Sequence, residues 1–185
     1  MPFYREVRAD WDDRCITVYQ AYRPEIADAA VAAQKFVAPF SMNRMTWVKP
    51  SFLWMMERCG WATKPQQECV LRVRLTRAGF EQALSLATLT DGDAGAAPVR
   101  VQWDPERSLR GGELEYRSLQ VGLGRAVVGD FVNVWCVGIE DITPLVHRIA
   151  ALRKDGEWER AAALLPVERV YPLPEAVRAR LRADV

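Results

Sequence analysis

The segment from residue 15 to residue 33 constrains the fold of this chain more than any other. From Cys15 to Tyr22 the sequence is β-branched and aromatic, and it alternates as a β-strand does. Pro24 then suits the first turn of a helix, and apolar residues between Ile26 and Ala33 recur at helical spacing. A strand that runs directly into a helix predicts a fold in which strands and helices are mixed.

Further strand and helix patterns follow, separated by short connections. A short strand is expected to end at Lys49–Pro50. Three more strands are expected over residues 68–75, over 98–103 with a break at Asp104–Pro105, and over 113–123. The second half of 113–123 is also compatible with a helix. Residues 126–142 predict a helix followed by a buried strand. One further helix is expected to begin at Pro50 and to end near Gly60. Three more are expected over residues 77–89, 143–156 and 157–166, and residues 90–98 are expected to be a loop.

These patterns predict an α+β fold, with a mixed central sheet of about five to seven strands and helices packed around it. A chain of 185 residues is long enough to bury a core, and no repeat or long linker divides it. We therefore expect a single domain over residues 1–185.

Charge and hydropathy exclude several classes of partner. The chain has 25 basic and 24 acidic residues, so no global field attracts nucleic acid or an anionic membrane. No apolar run approaches the ~20 residues of a membrane span. The first residues are charged and lack the apolar core of a signal peptide. The expectation is a cytoplasmic protein without a membrane partner.

Common catalytic motifs are missing from the sequence. His147 is the only histidine, and the four cysteines are scattered without metal-binding spacing, so no zinc site, no two-metal site built on imidazole and no Ser-His-Asp triad is expected. There is no GxxxxGK-S/T phosphate-binding loop and no G-x-S-x-G nucleophile elbow. The glycines of GLGRAVVG have the wrong spacing for a dinucleotide fingerprint.

Polar residues recur inside aromatic, structure-rich stretches at four places in the chain. Polar groups in apolar runs are costly to bury without partners, so such clusters form either structural networks or a lined pocket. Their number favours a pocket. The four clusters are residues 19–22, 44–54, 102–107 and 117–120.

The region from Arg44 to Arg77 has an excess of basic residues, interleaved with Trp47, Trp54 and Trp61. Basic groups between aromatic rings are typical of a groove for phosphates and stacked bases. This pattern leaves open a nucleic-acid or nucleotide binding module without chemistry. It is also compatible with a tryptophan-rich core surrounded by solvated arginines.

Several stretches resemble the signature blocks of one known family. They are VYQAY, RMTWVKPSFLWMM with the following CGW, the pair Gln67-Glu68, VQWDPER and RSLQVGL. The family is the one catalogued as domain of unknown function 4291, and the resemblance runs from about Arg8 to LLPVERVYPL near the end. It implies no activity, because the name of the family records none.

The order of elements at the start of the chain also resembles ADP-ribosyltransferases, in particular the toxin group that modifies DNA. A strand that ends aromatic-Gln-small-Tyr, the helix after it and the Gln-Lys-Phe of residues 34–36 carry this resemblance. It implies that Gln20 fixes the nicotinamide ribose of NAD and that Tyr22 contributes to the wall around the nicotinamide ring. Gln20 stands where those enzymes have His or Arg.

The same resemblance extends to two further motifs. Ser51 resembles the serine of the second motif, and nearby Arg44 and Lys49 would hold the pyrophosphate of NAD. The third motif falls on the strand of residues 113–123, where Glu115 and Gln120 are candidates for the group that steadies the ribosyl cation or activates the acceptor. Glu68 and Glu106 are rivals for that role.

The resemblance therefore implies an NAD-dependent transfer of ADP-ribose to a nucleic-acid or protein acceptor. The catalytic candidates are Gln20, Ser51, Glu115 and Gln120. The residues expected to bind NAD are Tyr19, Tyr22, Arg44, Thr46, Lys49 and Trp54. Those expected to bind the acceptor are Gln102, Asp104, Arg107 and Arg117. A third hypothesis, a nucleotide-processing enzyme, uses Asp104, Glu106 and Arg107 around a Mg²⁺ ion.

Overall fold

The computed structural model describes residues 3–90 and 97–185, so most of the loop expected at 90–98 lies outside the described residues. The strands are β1 (Arg8–Ala9), β2 (Cys15–Tyr22), β3 (Thr46–Val48), β4 (Cys69–Thr76), β5 (Ala87–Leu89), β6 (Val99–Arg107), β7 (Glu113–Leu123), β8 (Cys136–Asp141) and β9 (Arg169–Val170). The helices are α1 (Pro24–Ala33), α2 (Phe52–Cys59), α3 (Arg77–Ser85), α4 (Arg125–Asp130), α5 (Thr143–Lys154), α6 (Trp158–Ala162) and α7 (Glu175–Leu181), and a π-helical turn spans Phe131–Trp135. Within these residues, no helix combines the length and the apolar character that a membrane crossing requires.

The described strands form two main sheets and a short ribbon. One sheet is antiparallel with the order β2-β4-β8. The second has the order β3-β7-β6-β5, in which β5 runs parallel to β6 and the other neighbours are antiparallel. β1 pairs with β9 as the ribbon. The α+β class is confirmed, but the strands expected in one mixed central sheet are divided between a three-stranded antiparallel sheet and a four-stranded mixed sheet.

The two main sheets meet where β2 approaches the end of β3. The Tyr19 N–H donates to the Lys49 carbonyl at 2.7 Å, and the Lys49 N–H donates to the Tyr19 carbonyl at 3.2 Å. This pair of backbone hydrogen bonds places the C-terminal end of β2 beside β3. Polar residues that are far apart in the sequence therefore lie together at the junction.

The β6–β7 hairpin separates an apolar face from a polar one. Because side chains alternate along a strand, Val99 and Val101 face the core together with apolar residues of β7. The register pairs Gln102 with Gln120 and Asp104 with Ser118. The opposite face of the hairpin therefore carries a row of polar side chains toward the sheet junction.

Local patterns predicted some elements and missed others. β2 and α1 have the predicted bounds, and α2 ends at the predicted Gly60, which adopts the left-handed conformation. The helix expected over 77–89 is wrong in its last part, because α3 ends at Ser85 and residues 87–89 form β5. The expected break at Asp104–Pro105 is also wrong: β6 continues to Arg107. Pro105 is tolerated because β5 pairs only with residues 99–101, and a register shift follows between Pro105 and Arg107.

Two further expectations concern β7 and β8. β7 is a strand over its whole length, including the half that was also compatible with a helix. β8 follows a helix as expected, but it is an outer strand in which only Ile139 is buried. The expectation of a buried strand is therefore wrong. The Gln34 side chain hydrogen-bonds both backbone groups of Ile139, so it covers part of this free edge.

Candidate functional site

A cleft of about 620 Å³ opens at the junction of the two main sheets. Its size is within the range of pockets that hold small molecules and cofactors. The polar clusters of β2, β3, β6 and β7 all contribute to it. The lining residues are Gln20, Ala21, Tyr22, Arg23, Ile26, Pro39, Phe40, Ser41, Arg44, Met45, Thr46, Trp47, Lys49, Met55, Arg58, Gln66, Gln67, Gln102 and Gln120.

Gln20 is the centre of a hydrogen-bond network on one wall of the cleft. Its Nε2 carries two hydrogens and lies within hydrogen-bond distance of three oxygens: the Thr46 hydroxyl at 2.7 Å, the Tyr22 hydroxyl at 2.9 Å and the Trp47 carbonyl at 3.1 Å. The hydroxyls of Tyr22 and Thr46 lie 2.9 Å apart, and burial raises the pKa of Tyr22 to about 12. Gln20 is only 2% exposed, and its Oε1 has no hydrogen-bond partner among the described residues. A buried acceptor without a partner is costly, so this wall is suited to a ligand that donates a hydrogen bond.

Four cationic side chains line the cleft, and among the described residues no carboxylate does. Arg44 and Arg58 are exposed and form no ion pair with a described residue. Arg23 lies 3.5 Å from Glu25, a weak contact, and Lys49 is the fourth cation. The chain as a whole has a net charge of +1, so this concentration of charge is local. The cleft therefore favours an anionic ligand.

Lys49 is the buried cation of the group. It is 5% exposed, and its Nζ lies 5.1 Å from the centre of the Trp54 ring. Burial, followed by repulsion from Arg58, lowers the pKa of Lys49 to about 8, while Asp104 and Cys59 act in the opposite direction. An anion bound beside Lys49 would attract the ammonium group and so stabilise the charged form of this side chain.

The floor of the cleft is formed by β6 and β7. Gln102 Nε2 donates to Asp104 Oδ1 at 2.8 Å, and Gln120 Nε2 donates to Asp104 Oδ2 at 2.7 Å. Burial raises the pKa of Asp104, and the two hydrogen bonds act in the opposite direction and lower it by less. Asp104 thus fixes both amides, which leaves their oxygens as acceptors for a ligand.

Trp47 packs against the strand that carries Gln120. A Cβ atom on Gly122 would lie 2.7 Å from Met45 Sδ and 2.9 Å from the Trp47 ring. Only a glycine at this position allows the ring to lie against β7, where it forms part of the wall.

Ser51 holds the start of α2 and is not among the lining residues. Its hydroxyl accepts a hydrogen bond from the Trp54 N–H at 3.2 Å, the arrangement of an N-cap. Glu168 Oε1 accepts from the Phe52 N–H at 2.7 Å. Together the two residues fix the helix that brings Met55 and Arg58 to the cleft.

The remaining candidates lie apart from the cleft, with one exception. Tyr19 is fully buried with its ring edge against Phe52, and Glu115 is exposed. Arg107 pairs with Glu113 at 2.9 Å, and Arg117 donates to the Tyr4 hydroxyl at 2.9 Å. The exception is Trp54, which is not a lining residue but covers Lys49.

A comparison with protein families matches residues 6–171 to the domain of unknown function DUF4291. The chain belongs to this family. No curated protein matches the chain.

Sequence reasoning missed two features of the site in this DUF4291 chain. One is Arg58, whose position on α2 was not distinguished from that of other exposed arginines. The other is Glu168, a half-buried carboxyl group that contacts the start of α2 and lies near the buried Glu106. Burial raises the pKa of both, to about 8 for Glu168, whose pKa the charge of Glu106 also raises. Glu106 was only one of several candidate acids, and nothing in the local pattern around Glu168 indicates its burial.

The basic residues of 44–77 do not form one surface in the DUF4291 fold. Arg72 pairs with Glu140 and Arg74 with Asp12, while Arg77 lies over the rings of Trp11 and Tyr171. Of the basic residues in this stretch, Arg44, Lys49 and Arg58 line the cleft and the others do not. Across the described part of the chain, no group of three or more His, Cys, Asp or Glu side chains is arranged to hold a metal ion.

Proposed function

We propose that this chain binds NAD in the cleft and transfers its ADP-ribose to a nucleic-acid or protein acceptor. One observation carries the proposal. The segments that resemble the motifs of ADP-ribosyltransferases are far apart in the sequence, yet Gln20 and Gln120 line one cleft, and every charged side chain that lines it among the described residues is cationic.

The lining suits the parts of NAD. Arg44, Arg58 and Lys49 would hold the pyrophosphate through charge-assisted hydrogen bonds. The unpartnered oxygen of Gln20 would accept a hydrogen bond from a ribose hydroxyl. The rings of Tyr22 and Trp47 would pack on the nicotinamide.

In the proposed reaction the bond between ribose C1′ and the nicotinamide nitrogen breaks, and a bond from C1′ to the acceptor forms. Nicotinamide leaves as a neutral molecule, and the acceptor loses a proton. Of the two candidates on β7, Gln120 lines the cleft, whereas Glu115 is exposed and lies about 16 Å along the strand. We assign the third-motif role to Gln120, held in place by Asp104.

A matched pair of variants on β7 tests this assignment. Gln120→Ala should lower nicotinamide release at least about tenfold, because it removes a polar group that would stabilise the charge that develops at the reacting centre. Glu115→Ala should retain wild-type release. NAD binding is measured by calorimetry and nicotinamide by chromatography. Absence of NAD binding by the wild-type protein, or equal loss in both variants, would contradict the proposal.

A nucleic-acid binding module without chemistry is the second candidate, favoured by the exposed Arg44 and Arg58 at the mouth of the cleft. The affinity of such a module should fall steeply with salt, because each phosphate contact releases counterions. Binding of single-stranded DNA or RNA without any nicotinamide release would favour this candidate.

A further inference from the structure

Lys49 differs from the other lysines of the chain in its surroundings. Lys35, Lys64 and Lys154 are exposed, whereas Lys49 is 5% exposed. The Nζ of Lys64 donates to two backbone carbonyls, but that of Lys49 has no hydrogen bond or ion pair with any described residue. The Nζ of Lys49 lies instead over the Trp54 ring. A lysine that is buried at the wall of a cleft without a counterion is unusual.

Burial and the charge of Arg58 together favour the neutral form of Lys49. From α2, Arg58 opposes the ammonium charge, and the Cys59 thiol acts weakly in the other direction. From β6, Asp104 attracts the charge, but both of its oxygens already accept hydrogen bonds from glutamine amides. Burial is the largest effect, and the pKa of Lys49 falls to about 8. A substantial fraction of the amine is therefore neutral and nucleophilic near pH 8.

The position of this amine is fixed by the fold. The backbone of Lys49 pairs with Tyr19 at the junction of the sheets, and Pro50 follows it. Arg44 and Arg58 line the same cleft and are free of carboxylate partners within the described residues. An anionic group held by these arginines would place the rest of its molecule near the amine.

We propose that Lys49 is a nucleophilic amine that forms an imine with an aldehyde or ketone carrying a phosphate group. The nitrogen lone pair attacks the carbonyl carbon, a C–N bond forms, and the carbonyl oxygen takes up a proton. Loss of this oxygen as water then gives the imine. Amine and carbonyl yield imine and water without oxidation or reduction. This activity is separate from ADP-ribosyl transfer and does not require it.

The test compares the four lysines within one protein. The full chain is incubated with pyridoxal 5′-phosphate at several pH values, reduced with cyanoborohydride, and each lysine is quantified by peptide mass spectrometry. We expect Lys49 to be modified at least about tenfold faster than the exposed lysines, despite its burial. Its rate should rise through about pH 8, whereas ordinary lysines titrate near 10.4. Pyridoxal, which lacks the phosphate, should lose the selectivity.

Two variants and a competition experiment with NAD show whether the fast labelling depends on Lys49. Lys49→Arg retains the charge and should lose the fast modification, while Lys64→Arg should not change it; circular dichroism checks that both are folded. Modification that follows exposure, with Lys35, Lys64 and Lys154 labelled first, would overturn the proposal. Protection of Lys49 by excess NAD reports on NAD binding alone. Fast labelling without protection would support the imine site and count against the proposed function.

Discussion

At the scale of single residues, Glu168 shows how a distant part of the chain supports the site. Its carboxyl group accepts a hydrogen bond from the first helical residue of α2, Phe52, at 2.7 Å. Burial and the neighbouring Glu106 raise its pKa to about 8. An acceptor at a helix N-terminus does not need to be charged, so a protonated carboxyl or an amide can satisfy the same N–H.

The raised pKa of Glu168 predicts a pH dependence of stability. Between the unfolded pKa near 4.5 and the folded pKa of about 8, the folded state binds the proton more tightly, so stability falls as the pH rises through this window. Glu168→Gln keeps the acceptor and removes the titration. It should match the wild type near pH 4 and be more stable at pH 9, by about 1.4 kcal/mol for each unit of the pKa difference.

Urea denaturation at pH 4, 7 and 9 measures this difference. Glu115→Gln makes the same change of charge at an exposed position and serves as the control. A constant difference between wild type and Glu168→Gln at all three pH values would contradict the prediction.

At the scale of elements, α2 links Ser51 to the cleft. The hydroxyl caps the helix, and Thr76 caps α3 in the same way by accepting from the Gly79 N–H at 3.1 Å. We expect Ser51→Ala and Thr76→Ala each to lower the free energy of unfolding by about 1 kcal/mol. Because Ser51 is not a lining residue, the two variants should release nicotinamide at similar rates. A far larger loss of release in Ser51→Ala would assign Ser51 a role in the reaction.

The elements also show which information the sequence contains. β2, α1 and α2 follow from alternation, helical spacing, Pro24 and the terminal Gly60, all of which act locally. β5 and the continuation of β6 through Pro105 depend on strand pairing across the sheet, which no local pattern records. The same division applies to the site. Polar residues within strands predicted much of the lining. The position of Arg58 in the cleft and the contact of Glu168 with the start of α2 depend on how α2 packs in the fold, which no local pattern records.

At the scale of the whole molecule, nearly balanced charge hides a local excess. The net charge is +1, yet within residues 3–90 and 97–185 the charged residues that line the cleft are all cationic. A cleft with charge of one sign focuses its field on an anionic ligand more strongly than the net charge indicates. The arrangement of charge, and not its total, therefore determines what this protein attracts.

Removing the two exposed cations of the cleft tests this conclusion. The double variant Arg44→Gln/Arg58→Gln should weaken NAD binding at least about tenfold, because each lost charge-assisted hydrogen bond contributes about 1.5–3 kcal/mol before compensation. Arg148→Gln, a variant of an exposed arginine on α5, is the control and should bind NAD as the wild type does.

Calorimetry at low and moderate ionic strength also separates the two candidate functions. NAD held in the cleft should respond weakly to salt, whereas a nucleic acid bound through many phosphates should lose affinity steeply, with a slope reduced in the double variant. Equal affinity in the double variant and the control would show that the cationic lining does not contribute to binding.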